Sequence, residues 1–157
     1  MVKFNSVARL SHINMKIILT QTDTTVGFLS QNAPKLCEIK SRQSSKPFIK
    51  VYKNFKVFKQ DNKRVPNSQK NRIRRLKKTT FVVNNFAFRI SDDAMYSSFL
   101  RQNTWNYSTS ANESTKKFSR VFCEEKADII VENKKRLFED KASKLYKINN
   151  KKIKRLR

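Results

Sequence analysis

Gly27 is the only glycine in a chain of 157 residues. A residue this scarce marks a backbone position with a special need, either a positive φ or the close approach of another segment. It sits in "VGFLS", directly after "QTDTT" and the apolar run "MKIILT". Short, β-rich apolar content predicts strands over Met15–Thr20 and over "VGFLS", joined by a hydroxyl-rich turn.

The same reading continues along the chain. "NAPKLCEIKSR" predicts a helix capped by Asn32, with Leu36 and Ile39 on one face. "KPFIKVY" predicts a strand, and Pro66–Lys78 predicts a helix with six basic residues and no acid. "TTFVV" and "NNFAFRI" predict two arms of a hairpin with "NN" in the turn. "SDDAMYSSFLRQ" predicts a helix with a polar cap, and "TWNYS", "ADIIV" and "SKLYKI" predict three more strands. Strands alternating with helices imply an α/β domain. The length fits one domain with a real core.

Charge constrains the partners. Lysine plus arginine number 36 against 12 acidic residues, a net +24. Residues 1–91 hold twenty basic and three acidic residues, and the tail 141–157 holds eight basic and none acidic. Such a field favours anionic ligands and nucleic acid. A solvated Lys- and Asn-rich surface is the plainer source of the same excess. Twelve phenylalanines argue against a disordered chain. With one histidine and two cysteines, no Cys/His metal site can be assembled. Cys37 and Cys123 read as buried thiols rather than a disulfide. No run approaches about 18 apolar residues, so no membrane span is expected, and the basic N-terminus lacks the apolar core of a secretory signal. The expected location is cytoplasmic.

Three stretches hold polar residues beyond what secondary structure needs. Thr22-Asp23-Thr24 follows a strand, where hydroxyls are ordinary turn material. Lys40-Ser41-Arg42 would place two cations on one side of an extended segment, a pair that suits phosphate or carboxylate. "YSTSANES" puts Ser110 and Asn112 on one face, and a helix beginning behind them would add free N–H groups. Its plainer reading is a strand end and a helix cap.

Taken in order, these stretches resemble the YrdC/TsaC-type family. "TQTDTTVGF" is similar to that family's Pro-Thr-Asp/Glu-Thr-x-Tyr-Gly-Leu opening, and "IKSRQSSKPF" to its Lys-x-Arg segment followed by Lys/His-Pro-Leu. "FAFRISDD" resembles its Val-Arg-x-Pro segment, and "YSTSANES" its Ser-Ala-Asn-x-Ser segment. "ADIIVENK" and the closing "ASKLYKINNKKIKRLR" resemble the last two motifs. The likeness runs from Met15 to Arg157, so residues 1–14 are expected to be an N-terminal extension and residues 15–157 the YrdC-like domain. Departures are Gln21 for proline, Val26 for tyrosine, Lys77 and Lys78 for a Gly-Pro pair, Ser91 for proline, and Ala142 and Lys144 beside Ser143.

The resemblance implies a twisted mixed sheet with flanking helices around a positively charged cavity. It implies an L-threonylcarbamoyladenylate synthase, which makes threonylcarbamoyl-AMP and pyrophosphate from L-threonine, bicarbonate and ATP for tRNA modification. ATP and bicarbonate are then substrates, and Mg2+ is expected with the nucleotide. Carried over by motif, Lys40, Arg42, Ser110 and Asn112 would be the catalytic residues. Thr22 would contact threonine, Lys46 and Arg89 would add charge at the nucleotide, and Thr80 and Ser143 would line the cavity. Partners implied are tRNA or double-stranded RNA and the tRNA-modification proteins that use the adenylate. The alternative is a non-catalytic RNA-binding member of the same fold. Carbamoyl-adenylate chemistry on another acceptor, as in hydrogenase-maturation carbamoyltransferases, would bring zinc-finger cysteine motifs that this chain lacks.

Overall fold

A computed structural model of the chain describes residues 2–4, 13–41, 47–91, 103–114 and 116–157. They fall into two compact units, 1–48 with 106–141 and 49–105 with 142–157. Each carries mixed parallel and antiparallel strand pairing flanked by short helices, the α/β class expected from sequence.

In the first unit the strands lie in the order β1 (Val2–Phe4), β8 (Ile129–Val131), β2 (Ile18–Gln21), β3 (Val26–Ser30) and β7 (Trp105–Ser110). Only β2 and β8 run parallel. Helix α1 (Ala33–Ile39) starts where Asn32 Oδ1 accepts the Lys35 N–H at 3.1 Å, as the sequence predicts. The fourth helix, α4 (Arg120–Lys126), is capped by Ser119. Leu36 and Cys123 from these helices pack with Leu19, Phe28 and Ile130 into one buried cluster. Arg120 then grips Glu132 through two 2.9 Å bonds, which ties α4 to the end of β8.

Gly27 has no positive φ. Its requirement is close approach: a Cβ there would stand 3.0 Å from the Thr109 carbonyl oxygen on β7 and 3.1 Å from Thr22 Cγ2. Val2–Phe4 pair antiparallel with β8, and Asn14 bonds Gln31 side chain to side chain at 2.9 Å.

In the second unit the order is β4 (Ile49–Tyr52), β6 (Phe86–Ile90), β5 (Thr79–Val83), β9 (Lys144–Ile148) and β10 (Ile153–Arg155). β5 and β6 form the predicted hairpin. Asn84 and Asn85 both take positive φ, 46° and 63°, the geometry of a type I′ turn. Asparagine tolerates this region, which is how a chain with one glycine still makes tight hairpins. Tyr52, Phe58, Ile73, Phe81, Phe88 and Ile148 form the core, with Phe58 stacked on Phe88 at 4.5 Å between centroids.

Helix α2 (Phe55–Gln60) was not anticipated. It is a short turn capped by Asn54 that exists to bury Phe58. The basic segment 66–78 is helical only in part: a 3-10 turn at Asn67–Gln69 leads into α3 (Lys70–Arg75), and Leu76 is already extended. One buried residue, Ile73, anchors it, and six clustered cations repel any longer helix. The predicted helix over "SDDAMYSSFLRQ" lies, beyond Ser91, outside the described residues.

Candidate functional site

Lys40 is the C-terminal cap of α1, and the chain turns sharply behind it, with Ser41 at φ 45°. The lysine is 6% exposed. Its position is set from the far end of the helix, where Lys35 Nζ bonds Asp128 Oδ2 at 2.7 Å and Asp128 also accepts the Ile17 N–H. Burial alone would raise the Asp128 carboxyl, but the Lys35 and Ile17 hydrogen bonds and the lysine charges overcome it and hold the group below its ordinary value.

From there the Lys40 ammonium reaches the loop after β7. It donates to the Ser110 carbonyl at 3.2 Å, to the Asn112 carbonyl, and to Asn112 Oδ1 at 2.7 Å. Ser110 Oγ donates to the same Oδ1 at 2.7 Å. The Asn112 amide then uses its N–H on the Lys116 carbonyl. Lys40, Ser110 and Asn112 are therefore one hydrogen-bonded cluster, although 70 residues separate the lysine from the serine. The arrangement is a cation held against three neutral oxygens, beside an exposed serine hydroxyl. Such a group can present positive charge to an anion arriving at the loop.

The loop itself is fixed from below. The Ala111 N–H donates to the Val26 carbonyl at 3.0 Å, and the Cys123 thiol reaches the Ala111 carbonyl at 3.2 Å. Burial pushes the Cys123 thiol up to about 11, so it is neutral near pH 7 and serves packing, not nucleophilic attack. Both cysteines are free. Among the described residues no helix starts directly behind Asn112. α4 begins at Arg120, after a turn, because the Asn112 side chain closes onto Lys116 instead. Among the described residues no helix N-terminus contributes to this site.

Thr22 stands close to Gly27, whose register partner is Ser110. Its hydroxyl is committed to the turn between β2 and β3. It donates to the Thr25 carbonyl at 2.7 Å and accepts the Thr24 N–H at 3.2 Å. The plainer reading of "TDTT" as turn chemistry thus describes this oxygen. In the second unit, Thr80 and Ser143 meet: their hydroxyls lie 2.8 Å apart, fully buried, joined by the parallel pairing of β5 and β9. Arg89 is buried on β6, opposite Val51 in register. Arg42 and Lys46 lie outside the described residues.

Two features escaped the sequence reading. The Lys116 carbonyl closes the Asn112 loop, and Arg157 holds the Ser143 strand through its Nε on the Ser143 carbonyl at 3.2 Å. Neither leaves a sequence signal, since a backbone carbonyl has no residue type. Among the described residues no cluster of histidine, cysteine or carboxylate could hold a metal, and no helix is long and apolar enough to cross a membrane.

No family profile and no curated protein matches the sequence. Solved structures do match it. P. abyssi Sua5 complexed with L-threonine is similar over 90% of this chain and 50% of its own, with a TM-score of 0.71 at 18% identity. Full-length HypF in a phosphate- and nucleotide-bound form is similar over 100% of this chain and 25% of its own, TM-score 0.76, identity 11%. The MTH1692 protein from Methanobacterium thermoautotrophicum covers 93% of this chain and 81% of its own, TM-score 0.66, identity 16%. The chain spans about half the length of the Sua5 structures. With the Lys40–Asn112 clamp at the strand-to-loop junction and this topology, the chain has a YrdC/Sua5-type α/β fold.

Proposed function

We propose that the chain is an L-threonylcarbamoyladenylate synthase, a nucleotidyltransferase. The observation that supports this most is the Lys40–Ser110–Asn112 cluster, assembled from distant segments on a Sua5-like fold. In the proposed reaction the threonine amine condenses with bicarbonate to a carbamate with loss of water. A carbamate oxygen then bonds to the α-phosphorus of ATP as the bond to pyrophosphate breaks. All reactants are anions or become so, and positioned positive charge is the main thing a protein must supply. Lys40 supplies it and fixes Asn112; Ser110 offers an exposed hydroxyl beside it. Arg42 and Lys46 would extend the cationic lining, and Thr22 would shape the threonine side through its methyl. Mg2+ would enter with ATP as part of the substrate.

The test is pyrophosphate release from purified protein with L-threonine, bicarbonate and Mg-ATP. Threonine- and bicarbonate-dependent release is expected; no release in any combination would leave the non-catalytic RNA-binding reading. That second reading is favoured by the cations of α3, of which Lys70, Arg72 and Arg75 have no carboxylate partner among the described residues.

A further inference from the structure

A separate groove lies in the second unit, around the 61–67 loop that joins α2 to α3. A depression of about 470 Å³ runs from Phe55 and Lys59 to Lys70, and two more, of about 360 and 290 Å³, continue it along the β5–β6 turn. Arg64 lines all three, and Asn62, Lys63, Val65, Asn67 and Asn84 each line two of them. No carboxylate lines any of the three. The one acid nearby, Asp61, is turned to Lys50 at 2.8 Å and to the Tyr52 hydroxyl. Among the described residues Lys59, Arg64 and Lys70 have no ion-pair partner, and Lys63 lies over the Phe86 ring at 4.9 Å. The side chains of Asn62, Asn67, Asn84 and Asn150 are exposed, and their amides have no partner among the described residues.

We infer that this groove binds a single-stranded RNA segment, with phosphates on Lys59, Lys63, Arg64 and Lys70 and base edges on the asparagine amides. The cations ask for a polyanion. The amides, each a donor and an acceptor in one plane, ask for more than charge. A carboxamide pairs with the edge of a base, as asparagine does with adenine. Those edges are open to side chains in unpaired RNA and not in the deep groove of an RNA duplex. An acidic peptide would satisfy the lysines and leave the amides unused. The basic segment 66–78 has no aromatic residue of its own. The fold supplies rings from elsewhere, with Arg74 over Phe55 at 4.5 Å and Lys63 over Phe86.

The experiment is fluorescence anisotropy with a 12-nucleotide single-stranded oligoribonucleotide, its duplex, and a poly-glutamate peptide of equal charge, each titrated at several salt concentrations. Because a chain of net +24 attracts any polyanion, the decisive comparison holds charge constant. One variant carries Lys59→Gln, Lys63→Gln, Arg64→Gln and Lys70→Gln; the other carries Lys117→Gln, Lys134→Gln, Lys135→Gln and Lys141→Gln in the first unit. The groove variant should lose at least tenfold in single-strand affinity, and its log–log salt slope should fall by about 3, at roughly 0.7 per phosphate released. The control should lose less than threefold. Asn67→Ala with Asn150→Ala should shrink the preference for single strand over duplex. Equal losses in the two charge variants, duplex binding as tight as single strand, or poly-glutamate binding as tight as RNA would each overturn the assignment. Should the fourfold groove variant melt early, the pairs Lys59→Gln/Lys63→Gln and Arg64→Gln/Lys70→Gln carry the comparison. Pyrophosphate release on the same proteins should be unchanged, so failure of the groove and failure of the adenylate reading are seen separately.

Discussion

Replacing Lys40 by methionine keeps the buried stem and deletes the ammonium. Three hydrogen bonds vanish, to the carbonyls of Ser110 and Asn112 and to Asn112 Oδ1. A hydrogen bond from a charged donor contributes about 1.5–3 kcal/mol. The full sum will not appear, because Ser110 is exposed and Asn112 only half-buried, so water can reach the freed oxygens. A net loss of about 2–4 kcal/mol is expected, most of it from desolvated oxygen left at the inner side of the loop. For a chain of this size that is roughly 5–15 °C in Tm. Ser110→Ala is the companion variant. It removes one exposed donor, the 2.7 Å bond to Asn112 Oδ1, and should cost about 0.5–1 kcal/mol. If the cluster is a reaction site, Ser110→Ala should still lower pyrophosphate release per folded molecule by about a hundredfold, the scale of losing one positioned donor to a developing charge. Circular-dichroism melts and pyrophosphate release, measured on both variants, separate the two roles. Normal turnover in Ser110→Ala with an unchanged Tm would refute the site. A Lys40→Met melt within 2 °C of the parent would refute the clamp.

Gly27→Ala should destabilise by about 1–3 kcal/mol, since the new methyl meets the Thr109 carbonyl, a backbone atom that cannot swing aside; thermal melting reads it. Thr22→Val should cost about 1–2 kcal/mol by stripping the turn of its hydroxyl bonds, with the threonine KM little changed, and a raised KM at unchanged Tm would show that the oxygen faces substrate. Asp128→Asn should lower Tm at pH 7. The folded-state pKa of Asp128 is depressed, so its contribution is present above the unfolded value near 4 and lost as pH falls through the folded value. The gap between parent and variant should therefore close below about pH 4.

Much of the local structure was legible in the residues because its causes are local. Asn32 caps α1 through its own side chain, and Asn84-Asn85 makes a hairpin because asparagine accepts positive φ. The period of Leu36 and Ile39 told which face of α1 is buried, since burial follows the turn of the helix. Even Gly27 was marked by scarcity alone, although the sequence left open whether φ or crowding was the reason. Crowding was decided by β7, which lies against β3 from about 80 residues away. The extent of the 66–78 helix was equally nonlocal: one core contact at Ile73 supports six residues and no more. The family motifs pointed to Lys40, Ser110 and Asn112 together, yet no pattern in the chain showed that the lysine would hold the loop through two backbone carbonyls. Nor did it show that the Thr22 oxygen would be used up within its own turn. Residue types announce what a side chain can bond to; which oxygen it finds depends on strands and helices packed from distant parts of the chain, and only the tertiary structure brings those together.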